Sequence, residues 1–111
     1  MNTKLPMTIF TAAPAFPIGD VYVTSGAAER FPSAQIAACL NRHIRCDWGN
    51  VSADDAKLNT DCAKAGAGQL HSAYALDADL DLAAGRPVRR TLWVITDHDR
   101  TGTTVLLPDE Y

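Results

Sequence analysis

The chain has 111 residues, 47% of them hydrophobic and 21% charged, enough for one globular core and too few for two. Its formal net charge of −3 excludes a general attraction to nucleic acid, which takes a clustered basic excess, and no apolar run approaches the roughly 18 to 20 residues of a membrane span. Three cysteines, an odd number without framework spacing, fit a reducing cytoplasm rather than a disulfide scaffold.

At the N-terminus, Lys4 ahead of the apolar segment Met7 to Ala13 outlines a weak secretory signal, but Pro6, Pro14 and Pro17 interrupt it. Residues 1–16 therefore read as a loosely ordered arm, followed by a single domain over 17–111. Ile18 to Thr24 alternates apolar and polar side chains, which predicts a half-buried strand ended by Ser25-Gly26. Pro32-Ser33 opens a helix running to about Cys46, in which Ile36, Leu40 and Ile44, with Ala37 beside them, recur on one face. Asp47-Trp48-Gly49-Asn50 favours a turn. Ser52 then stands as an N-cap with Asp54 and Asp55 in the first turn of a second helix, where Leu58, Cys62 and Ala65 share a face and Gly66 marks the stop.

Gln69 to Leu76 alternates again and predicts a second strand. Asp77 to Pro87 is an acidic, Ala-rich link with room for a helical turn, longer than the usual hairpin loop. Val88 to Thr96 and Thr103 to Leu107 flank a charged tip and form a terminal hairpin. The order β-α-α-β-β-β predicts an α+β fold, an antiparallel sheet of about four strands with two helices packed on one face. Its expected core joins Ile36, Leu40, Ile44 and Leu58 to Leu92 or Trp93, Val94 or Ile95, and Val105 or Leu106.

Three constellations carry candidate chemistry. Cys39, His43 and Cys46 lie at i, i+4 and i+7, with Cys62 on the next helix; zinc takes such ligands, yet the spacing is not that of a structural zinc motif, and the thiols read as small core residues with no metal. His43, Arg45 and Asp47, with the tip residues Asp97, His98, Asp99 and Arg100, offer the parts of metal-free RNA cleavage: His43 and Asp47 handle protons and Arg100 contacts phosphate. The same residues also suit capping and turns. Trp48, in its turn, either plugs the seam between helices and sheet or meets a partner, whereas Trp93, in mid-strand, reads as core. Arg86, Arg89 and Arg90 read as a solvated strand face. There is no Gly-rich phosphate loop, no Gly-x-Ser-x-Gly elbow and no two-histidine metal motif, so no cofactor is expected.

Arg42-His43-Ile44-Arg45-Cys46-Asp47-Trp48-Gly49, Asp54-Asp55, Asn59, Leu70-His71-Ser72-Ala73-Tyr74, Trp93 to Arg100 and Thr103 to Tyr111 together resemble a group of small proteins of plasmids, phages and integrated elements. That group carries His, Asp-Trp-Gly, Ser-x-Tyr and Thr-Thr-x-Leu-Leu-Pro blocks in this order, and the likeness spans about residues 18 to 111. Cys46 departs from it, standing where the group has Gly, and so does Asp97-His98, standing where it has Glu-Ala. With the small size and acidity, the resemblance implies a non-catalytic accessory protein that binds a host defence protein or nucleoprotein complex, of the CRISPR-effector or restriction type, and blocks it. An acidic face, from Asp54, Asp55 and Asp61 or from Asp77, Asp79 and Asp81, suits the basic channel of such a target. The binding residues expected are Asp47, Trp48, Asp97, Asp99 and Arg100. The Asp97 to Gly102 turn is expected beside the C-terminal end of the first helix, tied by Arg100 to Asp47 or by Asp99 to Arg45. The competing expectation is the small RNA-cleaving, toxin-like enzyme using His43, Asp47 and Arg100.

Overall fold

The computed structural model describes residues 2–81 and 86–111 and has an α+β architecture. Val21 and Val23 are buried while Asp20 is exposed, the alternation that makes strand β2 (Asp20–Thr24) one-sided. Ahead of it, β1 (Asn2–Leu5) pairs antiparallel to β2, Met7–Ile9 forms a 3-10 turn, and Phe16 and Ile18 are buried in the core. The segment expected as a loose arm thus supplies a sheet edge and part of the core.

Thr24 ends β2 and caps the next element: its hydroxyl accepts from the Ala27 amide at 3.1 Å and starts helix α1 (Ser25–Arg30). Ser25-Gly26, expected to end the strand, instead opens this helix. Helix α2 (Ser33–His43) buries Ile36, Cys39, Leu40 and His43, the predicted face, and ends three residues earlier than expected. Helix α3 (Ala53–Ala65) has the expected bounds: the Ser52 hydroxyl accepts from the Asp55 amide at 3.1 Å, and Gly66, at φ 71°, ends it in the left-handed conformation.

Strands β3 (Leu70–Asp81), β4 (Arg86–Thr96) and β5 (Gly102–Leu106) complete a five-stranded sheet of order β1-β2-β5-β4-β3. The sheet is mixed, not antiparallel throughout, because β2 and β5 run parallel while the other pairs are antiparallel. The cause is topological: the three helices and the β3–β4 pair all lie between β2 and β5 in the chain, a long crossover. The expected acidic link is largely strand, since β3 pairs with β4 as far as Asp81 opposite Arg86. Residues 82–85, and the side chains of Asp77, Asp79, Asp81, Arg86 and Arg89, lie outside the described part of the structure.

The inner face of the sheet presents Val21, Val23, Leu70, Tyr74, Leu92, Val94 and Val105 to α2, whose Leu40 is fully buried. Helix α3 does not join that layer as predicted. It flanks the β3 edge: the Asn59 side chain accepts from the His71 amide at 3.2 Å and donates to the His71 carbonyl at 2.9 Å, mimicking a neighbouring strand. Residues 48–50 extend the cover, because the Ala73 amide donates to the Trp48 carbonyl, the Asn50 amide to the Ala73 carbonyl, and the Ala75 amide to the Asn50 side chain. Leu58, expected in the core, is consequently 60% exposed.

Candidate functional site

His43, the expected general base, is fully buried at the end of α2. Its Nδ1 lies 2.6 Å from the Ser72 hydroxyl and its Nε2 lies 2.9 Å from the Thr96 hydroxyl. Thr96 continues at 2.8 Å to the Thr103 hydroxyl, which donates to the Ile18 carbonyl at 2.8 Å. A carbonyl only accepts, so one direction satisfies the whole chain: Thr103 donates to Ile18, Thr96 to Thr103, His43 Nε2–H to Thr96, and Ser72 to His43 Nδ1. The imidazole is thereby held neutral in one tautomer. Burial lowers its pKa to about 3, and Phe16 and Trp48 pack edge-on against the ring. With both nitrogens occupied, His43 can neither take a substrate proton nor ligate a metal without dismantling the core.

Asp47 is exposed and committed elsewhere. It receives two hydrogen bonds from Arg42, at 2.8 and 3.2 Å, and one from the Gly49 amide. The Arg42 guanidinium therefore holds its carboxyl below the usual range. Arg42 also lies over the Tyr74 ring at 4.6 Å, and the Tyr74 hydroxyl donates to the Asp47 carbonyl at 2.7 Å. Trp48, expected among the binding residues, is buried against Phe16 and donates its indole N–H to Thr60 at 3.1 Å. It plugs the seam rather than meeting a partner. Gly49, at φ 75°, passes so close to β3 that a Cβ would meet the Ala73 carbonyl and the Tyr74 ring, so no other residue fits.

The tip behaves in the same way. Asp97 and Asp99 are exposed, and the Asp99 carboxylate accepts from the Thr101 hydroxyl at 2.7 Å and its amide at 3.1 Å, which lowers its pKa. The Arg100 guanidinium pairs with neither carboxylate and donates to the carbonyls of Gly68, Asp97 and Cys62 at 2.7, 3.0 and 3.0 Å and to that of His98 at 3.5 Å. The tip is thus fastened to the C-terminal end of α3, not to that of the first predicted helix, and neither the Arg100–Asp47 nor the Asp99–Arg45 tie forms. A cation at this helix end meets the negative pole of its dipole.

The three cysteines are free thiols, and burial raises Cys39 to about 11 and Cys46 above its ordinary value. Among the described residues no group of three or more His, Cys, Asp or Glu side chains is placed to hold a metal ion, and no helix is long and apolar enough to cross a membrane.

What the structure does assemble is a groove of about 620 Å³ between α3 and the outer face of β3 and β4, within the size range of ligand sites. Asp55, Leu58 and Cys62 of α3 line one wall; His71, Ala73 and Trp93 line the other. The His71 and Trp93 rings meet edge to face with centroids 4.3 Å apart. Tyr111, 73% exposed, extends the cluster at 5.9 Å from Trp93 and 6.4 Å from His71, with its hydroxyl accepting from Gln69 at 3.2 Å. Trp93, expected in the core, stands half-buried on the solvent side of the sheet because Leu92 and Val94 take the inner positions. No local pattern in the sequence marked this face, since Leu92, Trp93, Val94 and Ile95 are all apolar.

No family model, curated protein or solved structure matches this chain.

Proposed function

We propose that the protein is a non-catalytic accessory protein of a mobile element, acting in the cytoplasm by occupying a surface of a host defence protein or nucleoprotein complex, and that it belongs with the small plasmid, phage and integrated-element proteins it resembles. The observation that carries this reading is that the candidate catalytic side chains are separated and each is spent on architecture. His43 lies in a closed chain of hydroxyls, Asp47 is held by Arg42, and Arg100 is held by the carbonyls of Cys62 and Gly68. An RNA-cleaving enzyme needs a base, an acid and an anion clamp around one open point, and these three do not share one. A binder needs only exposed chemistry, which the groove and the carboxylates of Asp54, Asp55, Asp97 and Asp99 provide.

The test is interference by a CRISPR effector and cleavage by a restriction enzyme, each measured with and without the protein in excess, together with capture of the target from host lysate. Inhibition that rises with protein concentration and stays intact in His43→Gln supports the reading. Unchanged activity and no capture would sink it, and cleavage of RNA lost in His43→Gln would return the enzyme.

A further inference from the structure

We propose that the groove between α3 and the outer sheet face receives an arginine or lysine side chain from a basic segment of the partner protein, its stem along Leu58 and Trp93 and its cation over the aromatic cluster beside Asp55. This rests on the reading that the protein works by binding a protein partner, and it names the part of that partner which is bound. Three features of the groove converge on a cation. Its aromatic wall is made by His71 and Trp93, with Tyr111 packed against both rings, and the indole of Trp93 is the strongest cation–π acceptor among side chains. Asp55 lines its helical wall and has no ion-pair partner among the described residues, whereas Asp61 is already matched by Lys57 at 3.1 Å. Between them Leu58 is 60% exposed, an apolar surface suited to the methylene stem of a long basic side chain.

The surroundings favour the same occupant. Arg100, whose α3 partner Cys62 lines the groove, spends its guanidinium on the carbonyls of Cys62, Gly68, Asp97 and His98 and is not among the lining residues. Burial lowers the pKa of His71, with Asp55 acting in the opposite sense, so the net shift disfavours the charged ring that would repel a cation. The unpaired Asp55 carboxylate on the groove wall disfavours a phosphate backbone, which sets a basic protein segment apart from a nucleic acid.

The test uses the whole protein labelled with nitrogen-15 and two probe peptides at physiological ionic strength: acetyl-Gly-Arg-Gly-Arg-Gly-amide and its counterpart with citrulline for each arginine, which keeps the planar shape and stem length but removes the charge and replaces one donor group by a carbonyl. The expected result is that the arginyl peptide shifts the amide signals of Leu58, His71 and Trp93 and the Trp93 indole signal, and that the citrulline peptide does not. Asp55→Asn and Tyr111→Ala, both at exposed positions and folded by their own spectra, are each expected to weaken the arginyl peptide about two- to fivefold. Absent shifts, shifts mapping to another surface, equal binding of the citrulline peptide, or variants that bind unchanged would each overturn the proposal. The two readings fail separately. If the peptide binds as stated but defence activity is untouched, the counter-defence reading falls and the groove stands; inhibition that survives both substitutions leaves the reading and removes the groove.

Discussion

The two faces of the sheet carry similar polar and aromatic side chains and put them to opposite uses. On the inner face His43 of α2 and the strand residues Ser72, Thr96 and Thr103 form a closed hydrogen-bonded chain without solvent access, and on the outer face the half-buried His71 and Trp93 line a groove with the exposed Tyr111 packed beside them. Residue type therefore does not mark a functional histidine. What separates His43 from His71 is whether the ring's partners lie within the fold. On the inner side the blocks behind the resemblance interlock: Ser72 holds His43, Tyr74 holds the Asp47 carbonyl, Gly49 fits under β3, and Thr103 closes the chain.

The largest expected contrast between the faces lies in two leucines. Leu40→Ala, at a fully buried position under the sheet, is expected to cost about 2–5 kcal/mol, while Leu58→Ala on the groove is expected to stay within about 0.5 kcal/mol. Chemical denaturation checks both, and similar costs would erase the distinction between the faces.

Next in size is an acid dependence confined to the inner face. The folded pKa of His43 lies near 3, below the roughly 6.5 of an unfolded histidine, so between those values the unfolded state binds the extra proton. This stability is fully present above the unfolded pKa and is lost as pH falls toward the folded one. Relative to His43→Gln, whose amide can still accept from Ser72 and donate to Thr96, the parent protein should lose about 1.4 kcal/mol per pH unit within that window. Parallel stability profiles would show that the ring is solvated.

Arg100→Ala should cost about 1–3 kcal/mol by leaving the Cys62 and Gly68 carbonyls without their charged donor, with inhibition retained per folded molecule. A stable variant that no longer inhibits would transfer function to the tip. The smallest effect is a gain. Cys46 sits at φ 64°, which disfavours a side chain, and Cys46→Gly should stabilise by up to about 1 kcal/mol. Thermal unfolding at or below the parent's midpoint would mean that packing of the thiol outweighs the backbone strain.

Local signals were legible and non-local ones were not. Ser52, Gly66 and the Ile36–Leu40–Ile44 stripe announced their helices because caps and faces are written within a few residues. Helix α1 was hidden because Gly26 reads as a stop while the Thr24 hydroxyl restarts the chain, and β1 because four residues beside Pro6 are too few for an alternation to stand out. Parallel pairing of Val21 with Thr103 follows from the long crossover, which no window of sequence contains. The groove was missed for the same reason: Leu58, His71, Trp93 and Tyr111 are far apart in the chain, and Trp93 in mid-strand suits either face until the register with Leu106 and Ala73 is known. The polar residues of the resemblance were all found, but their placement decides their role, and Trp48 and His43 point inward.

The most direct test of the division between the faces is the protonation state of His43 followed by long-range proton–nitrogen NMR across a pH titration, with His71 in the same spectrum as reference. The expected result is a neutral His43 ring protonated on Nε2 whose nitrogen shifts do not move from pH 8 down to the onset of acid unfolding. A His43 that titrates near 6.5, or that carries its proton on Nδ1, would contradict the closed chain and restore this residue as a candidate acid–base group.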